Sequence, residues 1–267
     1  MKTAISALVI AAGTTASAQT LTAVAEDASN NNFATEVITV DLPYDGAAML
    51  NTWAPGDMFG RINDPDGQLT TGGLPFAMVD ESTSTFTTDT FGIIDRATDF
   101  GDFFGVVDTV NGSNGSGGSA DYTWINTGAG TIVNSFSVDV AAMGDFEGTD
   151  LYNFSISTDG GATFPFSALA SANEDIAQQY QVASGALSTL NDPMTFDGNA
   201  LNNDFLTVTF SGLNLAVTGD IVLRFAGQSD GGTEAFAWRN ASIEVIPAPA
   251  SAALLGLGGL AAARRRR

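Results

Sequence analysis

The 267-residue chain contains no cysteine and no histidine, and only nine lysines and arginines. Without cysteine no disulfide can brace the fold, and thiol nucleophiles and thiolate metal sites are excluded. Without histidine the Ser-His-Asp and Cys-His arrangements cannot be built, and zinc or copper sites lose their usual ligand. Any catalysis would rest on carboxylates, tyrosines or a bound metal. Long apolar runs are also lacking: no stretch approaches the twenty or so residues that a membrane-spanning helix needs. What is abundant is negative charge. Against 30 Asp and Glu, the segment 19–246 holds only Arg61, Arg96, Arg224 and Arg239, a net charge of −26. Such a surface repels nucleic acid and anionic lipid, keeps the protein soluble, and favours hard cations such as calcium.

The two ends read as addresses. Lys2, the apolar Ile5–Ala12 and the small-residue site Ala16-Ser17-Ala18 form a secretory signal peptide, so residues 1–18 are expected to be removed. The last twenty-one residues run PAPASAALLGLGGLAAARRRR. Uncharged Ala250–Ala263 would span roughly 21 Å as a helix, short of the ~30 Å hydrocarbon core, and Arg264, Arg265, Arg266 and Arg267 would stay in the cytoplasm. A transient membrane stop, cut near Pro247-Ala248-Pro249, fits this layout. With its Pro-x-Pro step, apolar segment and arginine cluster, the tail resembles a PEP-CTERM sorting signal, although Ala248 stands where that motif usually has Glu. The resemblance covers residues 247–267 and implies export, processing by an exosortase-type enzyme, and delivery to the cell surface or extracellular matrix.

The body reads as all-β. Glu36–Leu42 is expected as the first strand, and Phe103–Val107 as a short buried one. Phe136, Val138 and Val140 alternate with polar residues, as do Tyr152, Phe154 and Ile156, and Leu206, Val208 and Phe210; Ile221, Leu223 and Phe225 alternate with Val222 and Arg224. Phe236 to Val245 closes the body, with a bend near Asn240-Ala241. Turns are expected at Asn63–Gly67, Asp159-Gly160-Gly161, Asp192 and Asp197. Asn111–Ser119 (NGSNGSGGS) is taken as a long hairpin loop, and Ala172–Gln179 as the one weak helix candidate. Many short strands with turns between them argue a two-layer antiparallel β-sandwich of jelly-roll type over residues 19–246. The runs Phe136–Gly161 and Ser229–Val245 also resemble a β-sandwich module of bacterial secreted and surface proteins. In that module the last strand tends to read Phe-Asp-Asn, where this chain has Trp238-Arg239-Asn240.

Candidate chemistry is sparse. Asp139, Asp145, Glu147 and Asp150 fall on and after a strand end, and a calcium ion could draw on Asp145, Glu147 and Asp150, with Asp230 and Glu234 from the approach to the last strand. Asn63, Asp64 and Asp66 are a weaker calcium candidate that a turn explains fully. Tyr122 and Trp124, on one face of a strand, are the candidates for stacking on a sugar ring. The expected function is a non-enzymatic adhesive or structural protein of the cell surface or extracellular polymer matrix, with calcium-assisted binding of polysaccharide. The expected partners are the export machinery and the processing enzyme, with no nucleic acid. The alternative is a secreted carbohydrate-active hydrolase working through a carboxylate pair.

Overall fold

The computed structural model describes residues 18–23, 36–41, 50–51, 58–62, 75–83, 91–95, 97–98, 101–110, 117–124 and 130–247. Residues 1–17 of the expected signal peptide, the tail beyond Pro247, the expected turn at Asn63–Gly67 and the centre of the glycine-rich segment lie outside them. The strands in chain order are β1 Gln19–Ala23, β2 Glu36–Asp41, β3 Leu50–Asn51, β4 Met58–Ile62, β5 Val79–Asp80, β6 Ile94–Asp95, β7 Phe103–Val107, β8 Gly118–Trp124 and β9 Thr131–Met143. They continue with β10 Leu151–Ser157, β11 Phe166–Ala172, β12 Ala177–Gln181, β13 Leu187–Asn191, β14 Met194–Phe196, β15 Asn199–Ala200, β16 Leu206–Ala216, β17 Ile221–Gln228 and β18 Ala235–Pro247. Among the described residues there is no helix, and so none long and apolar enough to cross a membrane.

Two seven-stranded sheets face each other. One is ordered β16-β9-β18-β7-β4-β3, with β1 also paired to β18; the other is ordered β15-β14-β11-β10-β17-β8-β2. Every pairing within them is antiparallel; only the small β5–β6 pair is parallel. Number the central strands β7, β8, β9, β10, β11, β16, β17 and β18 one to eight. The sheets then read 1-8-3-6 and 2-7-4-5, which is jelly-roll connectivity.

This topology corrects the glycine-rich segment. β7 and β8, on either side of it, belong to different sheets, so the connection crosses the sandwich and is not a hairpin loop. Two strands of similar pattern give no sign of which sheet each one joins. The helix candidate at Ala172–Gln179 is likewise overturned. Asp175 sits at φ 64, a conformation that breaks a helix, and the stretch runs from the end of β11 into β12, which pairs with β13. The first strand of the body is β1, not Glu36–Leu42. Its polar QTLTA pattern buries only Leu21 and Ala23. The expected turns at Asp159-Gly160-Gly161, Asp192 and Asp197 are present, with Gly160 at φ 79, Gly161 at φ 90, Asp192 at φ 51 and Asp197 at φ 49. The expected bend in β18 is a bulge between Arg239 and Ser242, with Asn240 at φ 52.

The main core lies between the sheets. Trp238 is its centre, stacked on Phe104 at 5.3 Å and edge-on to Tyr122 and Phe154. A second core covers the outer face of the first sheet. There Phe103, Val107, Ala141, Met143, Ala235 and Ala237 pack under Met78, Ile94, Tyr180 and Val182 from the β5–β6 and β12–β13 pairs. That extra layer explains why β7 reads FFGVV without alternation: it is buried on both faces.

Candidate functional site

The jelly roll brings two sheet-crossing loops together at one end of the sandwich: residues 144–150 between β9 and β10, and residues 229–234 between β17 and β18. Phe146 anchors the first loop in the core, edge-on to Tyr152 at 6.2 Å. The second loop is pinned through Ser229, whose backbone N–H donates to Thr109 Oγ1 at 3.0 Å and whose carbonyl accepts from Val110 N at 2.8 Å. Gly231 leaves room for the Glu234 carboxylate: a Cβ there would lie 2.0 Å from Glu234 Oε1 and could be accommodated only if that side chain moved.

Between these loops, carboxylate oxygens of Glu147, Asp150, Asp230 and Glu234 all lie within 4.8 Å of one another. Glu147 and Asp230 are exposed, whereas Asp150 and Glu234 are 1% and 3% exposed. Asp150 Oδ2 accepts from Glu147 N at 2.7 Å and its Oδ1 from Asp230 N at 3.3 Å, so its carboxylate ties the loops to each other. Glu234 Oε2 accepts from Gly231 N at 2.9 Å and from Ser229 Oγ at 3.2 Å. Each carboxylate oxygen has a second lone pair, so acceptor capacity remains toward the centre of the group.

The electrostatics of the group are strained. Burial pushes Glu234 up to about 9, helped by the charges of Asp150 and Glu147. Burial likewise pushes Asp150 up to about 6; the Glu147 and Asp230 amides work against this and the neighbouring carboxylates work with it. Beneath them lies the hydroxyl of fully buried Tyr152. It has no hydrogen-bond partner of ordinary geometry, although the Ser229 hydroxyl is close enough to bear on its ionisation. Burial, and then the charges of Asp150, Glu234 and Asp230, hold that phenol well above its usual range. A buried phenol under the charges of Asp150, Glu234 and Asp230 adds one more polar oxygen beside the group. Oxygen donors alone, four of them anionic, suit calcium or magnesium rather than a softer metal.

Four of the five residues expected from sequence to hold a cation are therefore gathered. Asp145 is not one of the group: it is exposed on the same loop, and its charge bears on Tyr180 instead. Asp139 lies apart on β9, where its carboxylate accepts from Thr207 Oγ1 at 2.6 Å and Asn240 Nδ2 at 2.9 Å and holds the β18 bulge. The sugar-stacking candidates are overturned. Tyr122 and Trp124 share a face of β8 as expected, but that face is the inner one, and they are 0% and 2% exposed. Alternation along a strand shows that two side chains share a face without showing which way the face looks. Nothing in the sequence marks Tyr152 as a neighbour of the acidic group, because inward-facing strand aromatics are ordinarily core.

Fold and site thus define an all-β jelly-roll protein with an acidic group of possible cation ligands at one end. No protein-family model matches the chain, and no curated protein matches it in sequence. Solved structures similar to it include a Stig cyclase, Fisc, from Fischerella sp. TAU, at 12% identity and TM-score 0.34, covering 79% of this chain and 85% of that one. The K3 adhesin domain of Lys-gingipain from Porphyromonas gingivalis is similar at 12% identity and TM-score 0.29, over 78% and 98% of the two chains. A family two carbohydrate esterase from Cellvibrio japonicus is similar at 9% identity and TM-score 0.23, over 55% and 29%.

Proposed function

We propose that the protein is an exported, non-enzymatic jelly-roll module of the cell surface or extracellular matrix, braced by calcium and serving adhesion or matrix structure through polysaccharide. The observation that supports this most is the convergence of Glu147, Asp150, Asp230 and Glu234 over the buried Tyr152 hydroxyl. A divalent cation there would replace the protons that burial forces on Glu234 and Asp150, and would cross-link loops about 80 residues apart in sequence. In the hydrolase reading two of these carboxylates would be an acid and a base. The bracing role is preferred because Asp150 and Glu234 each accept backbone N–H bonds that fix them within the loops.

Thermal unfolding of metal-stripped protein tests the calcium reading. A site filled at a hundred times its dissociation constant adds about 2.7 kcal/mol, which raises Tm by roughly 5–10 °C for a domain of this size. Calcium at millimolar concentration is expected to produce that rise, and sodium at matched ionic strength is not. Equal rises with both would reduce the effect to screening of the −26 surface. The export reading has a separate test. Replacing Arg264 to Arg267 by alanine is expected to leave the chain unprocessed or misrouted, and unchanged surface delivery would count against the sorting signal.

A further inference from the structure

Four strands end the two sheet orders, and three of them are guarded against pairing with another chain. β3 and β15 are two residues each, and β2 begins on Glu36 and ends on Asp41. Short length and charge are the usual guards of a sheet edge. β16 has neither. It is eleven residues long, LTVTFSGLNLA, without charge or proline, in a chain whose segment 19–246 carries −26. Its first half, Leu-Thr-Val-Thr-Phe, is rich in strand formers.

On one side β16 pairs with β9, in unbroken register from Leu206 opposite Val140 to Ser211 opposite Ser135. Its side-chain hydrogen bonds are local or reach the same strand. Thr207 Oγ1 donates to Asp139 Oδ1 at 2.6 Å, the Thr209 and Ser137 hydroxyls bond at 2.9 Å, and Asn214 Nδ2 donates to the Gly212 carbonyl at 2.8 Å. Among the described residues no strand lies on its other side, so every second residue turns its N–H and C=O outward there. A bulge between Ser211 and Leu215, with Gly212 at φ 71 and Asn214 at φ 53, ends the regular stretch. Leu206 to Ser211 remain as a straight, open edge.

We propose that this edge pairs with the same edge of a second copy, antiparallel about a two-fold axis at Val208. Side-chain direction limits the register. Val208 is buried in the main core, and Phe210 packs on Phe136, Phe166 and Phe196, so Leu206, Val208 and Phe210 form the inner set. Thr207 and Thr209 are exposed on the outer face. Only a two-fold axis passing through a residue keeps inner side chains opposite inner ones. With the axis at Val208, Leu206 meets Phe210, Thr207 meets Thr209, and Val208 meets its own copy. With the axis at Thr207, Phe210 would face Asp204; with it at Thr209, Leu206 would face Gly212. The Val208 axis alone gives Leu206, 38% exposed at this flank, an apolar partner and makes hydroxyl pairs outside.

Self-complementarity is what selects a second copy as the occupant: the same patch serves both sides, and the contact closes at two. No charge on β16 meets another. Asp139, on the outer face of β9, lies one strand further in and is held by Thr207 and Asn240. The two copies' Asp139 would be three strand spacings apart, about 14 Å, beyond the ~8 Å Debye length at physiological salt. Antiparallel pairing also reverses one copy against the other. The 144–150 loop follows the end of β9 that adjoins Leu206, so the two acidic ends of the dimer point in opposite directions. The pairing itself needs neither cation nor polysaccharide.

Five residues a side is a small contact, so the dimer is expected to be reversible and to form with rising concentration. Sedimentation velocity of the purified protein, from low to high micromolar, is expected to show monomer passing into dimer. Thr209→Glu sets a carboxylate beside Thr207 and Asp139 of the other copy; it is checked for unchanged Tm and should weaken association by about tenfold or more. The register has its own readout, because the chain has no cysteine. Thr207→Cys and Thr209→Cys proteins are oxidised separately and as a mixture, and covalent dimer should form fastest in the mixture. A monomer at every concentration, or a dimer that Thr209→Glu leaves unchanged, would overturn the pairing. A mass that keeps rising past two copies would overturn the closed two-fold contact. Cross-linking as fast in either single variant as in the mixture would overturn the axis at Val208.

Discussion

Glu234 is the residue on which the acidic site turns. Burial gives it a much higher affinity for a proton in the folded chain than in the unfolded one, about 9 against an ordinary 4.5. A carboxyl shifted upward stabilises the fold fully below its unfolded pKa, and that contribution is lost as pH rises through the folded value. Asp150 acts the same way over the lower window between its ordinary 3.8 and about 6. The metal-free protein is therefore expected to lose Tm steadily from about pH 5 to pH 9, and saturating calcium should flatten that slope. Melting curves at each pH, with EGTA and with calcium, check both statements. Glu234→Gln keeps the hydrogen bonds from Gly231 and Ser229 but removes the charge. It should flatten the upper part of the metal-free profile and abolish most of the calcium response. Gly231→Ala should be destabilised in both conditions, because its new methyl would have to displace the Glu234 carboxylate. A Gly231→Ala protein with wild-type Tm and calcium response would contradict this packing.

The strands that carry the core differ in how readable they are. β10 alternates apolar and polar residues, β17 does so less cleanly because Val222 is apolar and buried too, and in both one set faces the opposing sheet: Tyr152, Phe154 and Ile156 in one, Ile221, Leu223 and Phe225 in the other. Alternation reports burial on one side, so a strand covered on both sides, such as β7 or the start of β18, appears as an unbroken apolar run. β1 escaped because two buried residues in five are too few to set a period. The acidic site was legible in composition and loop position, but the exclusion of Asp145 was not. Whether a loop carboxylate faces in or out depends on the anchoring of Phe146, a tertiary contact. The direction of β8 yields a prediction at this scale. Trp124→Ala and Trp238→Ala should each cost about 3–5 kcal/mol of stability, as large core truncations do. Urea unfolding would check this, and a Trp124→Ala protein of unchanged stability with weakened polysaccharide binding would return that side chain to the surface.

At the scale of the whole molecule, the jelly roll makes the acidic site a late event in folding. β18 must lie between β7 and β9, and β17 between β8 and β10, before the 229–234 loop can reach the 144–150 loop. Pairings of such sequence separation carry a large loop-closure cost, so folding is expected to be slow, on the millisecond-to-second scale of two-sheet β domains. Four carboxylates on a chain of net charge −26 oppose the final closure further. Interactions absent from the transition state act on the unfolding rate and leave the folding rate nearly unchanged. Calcium should therefore slow unfolding by about the full factor it adds to stability, roughly a hundredfold at a hundred times its dissociation constant, while refolding changes little. Stopped-flow unfolding in guanidinium, with calcium and with EGTA at matched ionic strength, measures this directly. If calcium instead accelerated refolding and left unfolding alone, the two loops would already be together in the transition state. Closure of the sandwich would then begin at the acidic end rather than finish there.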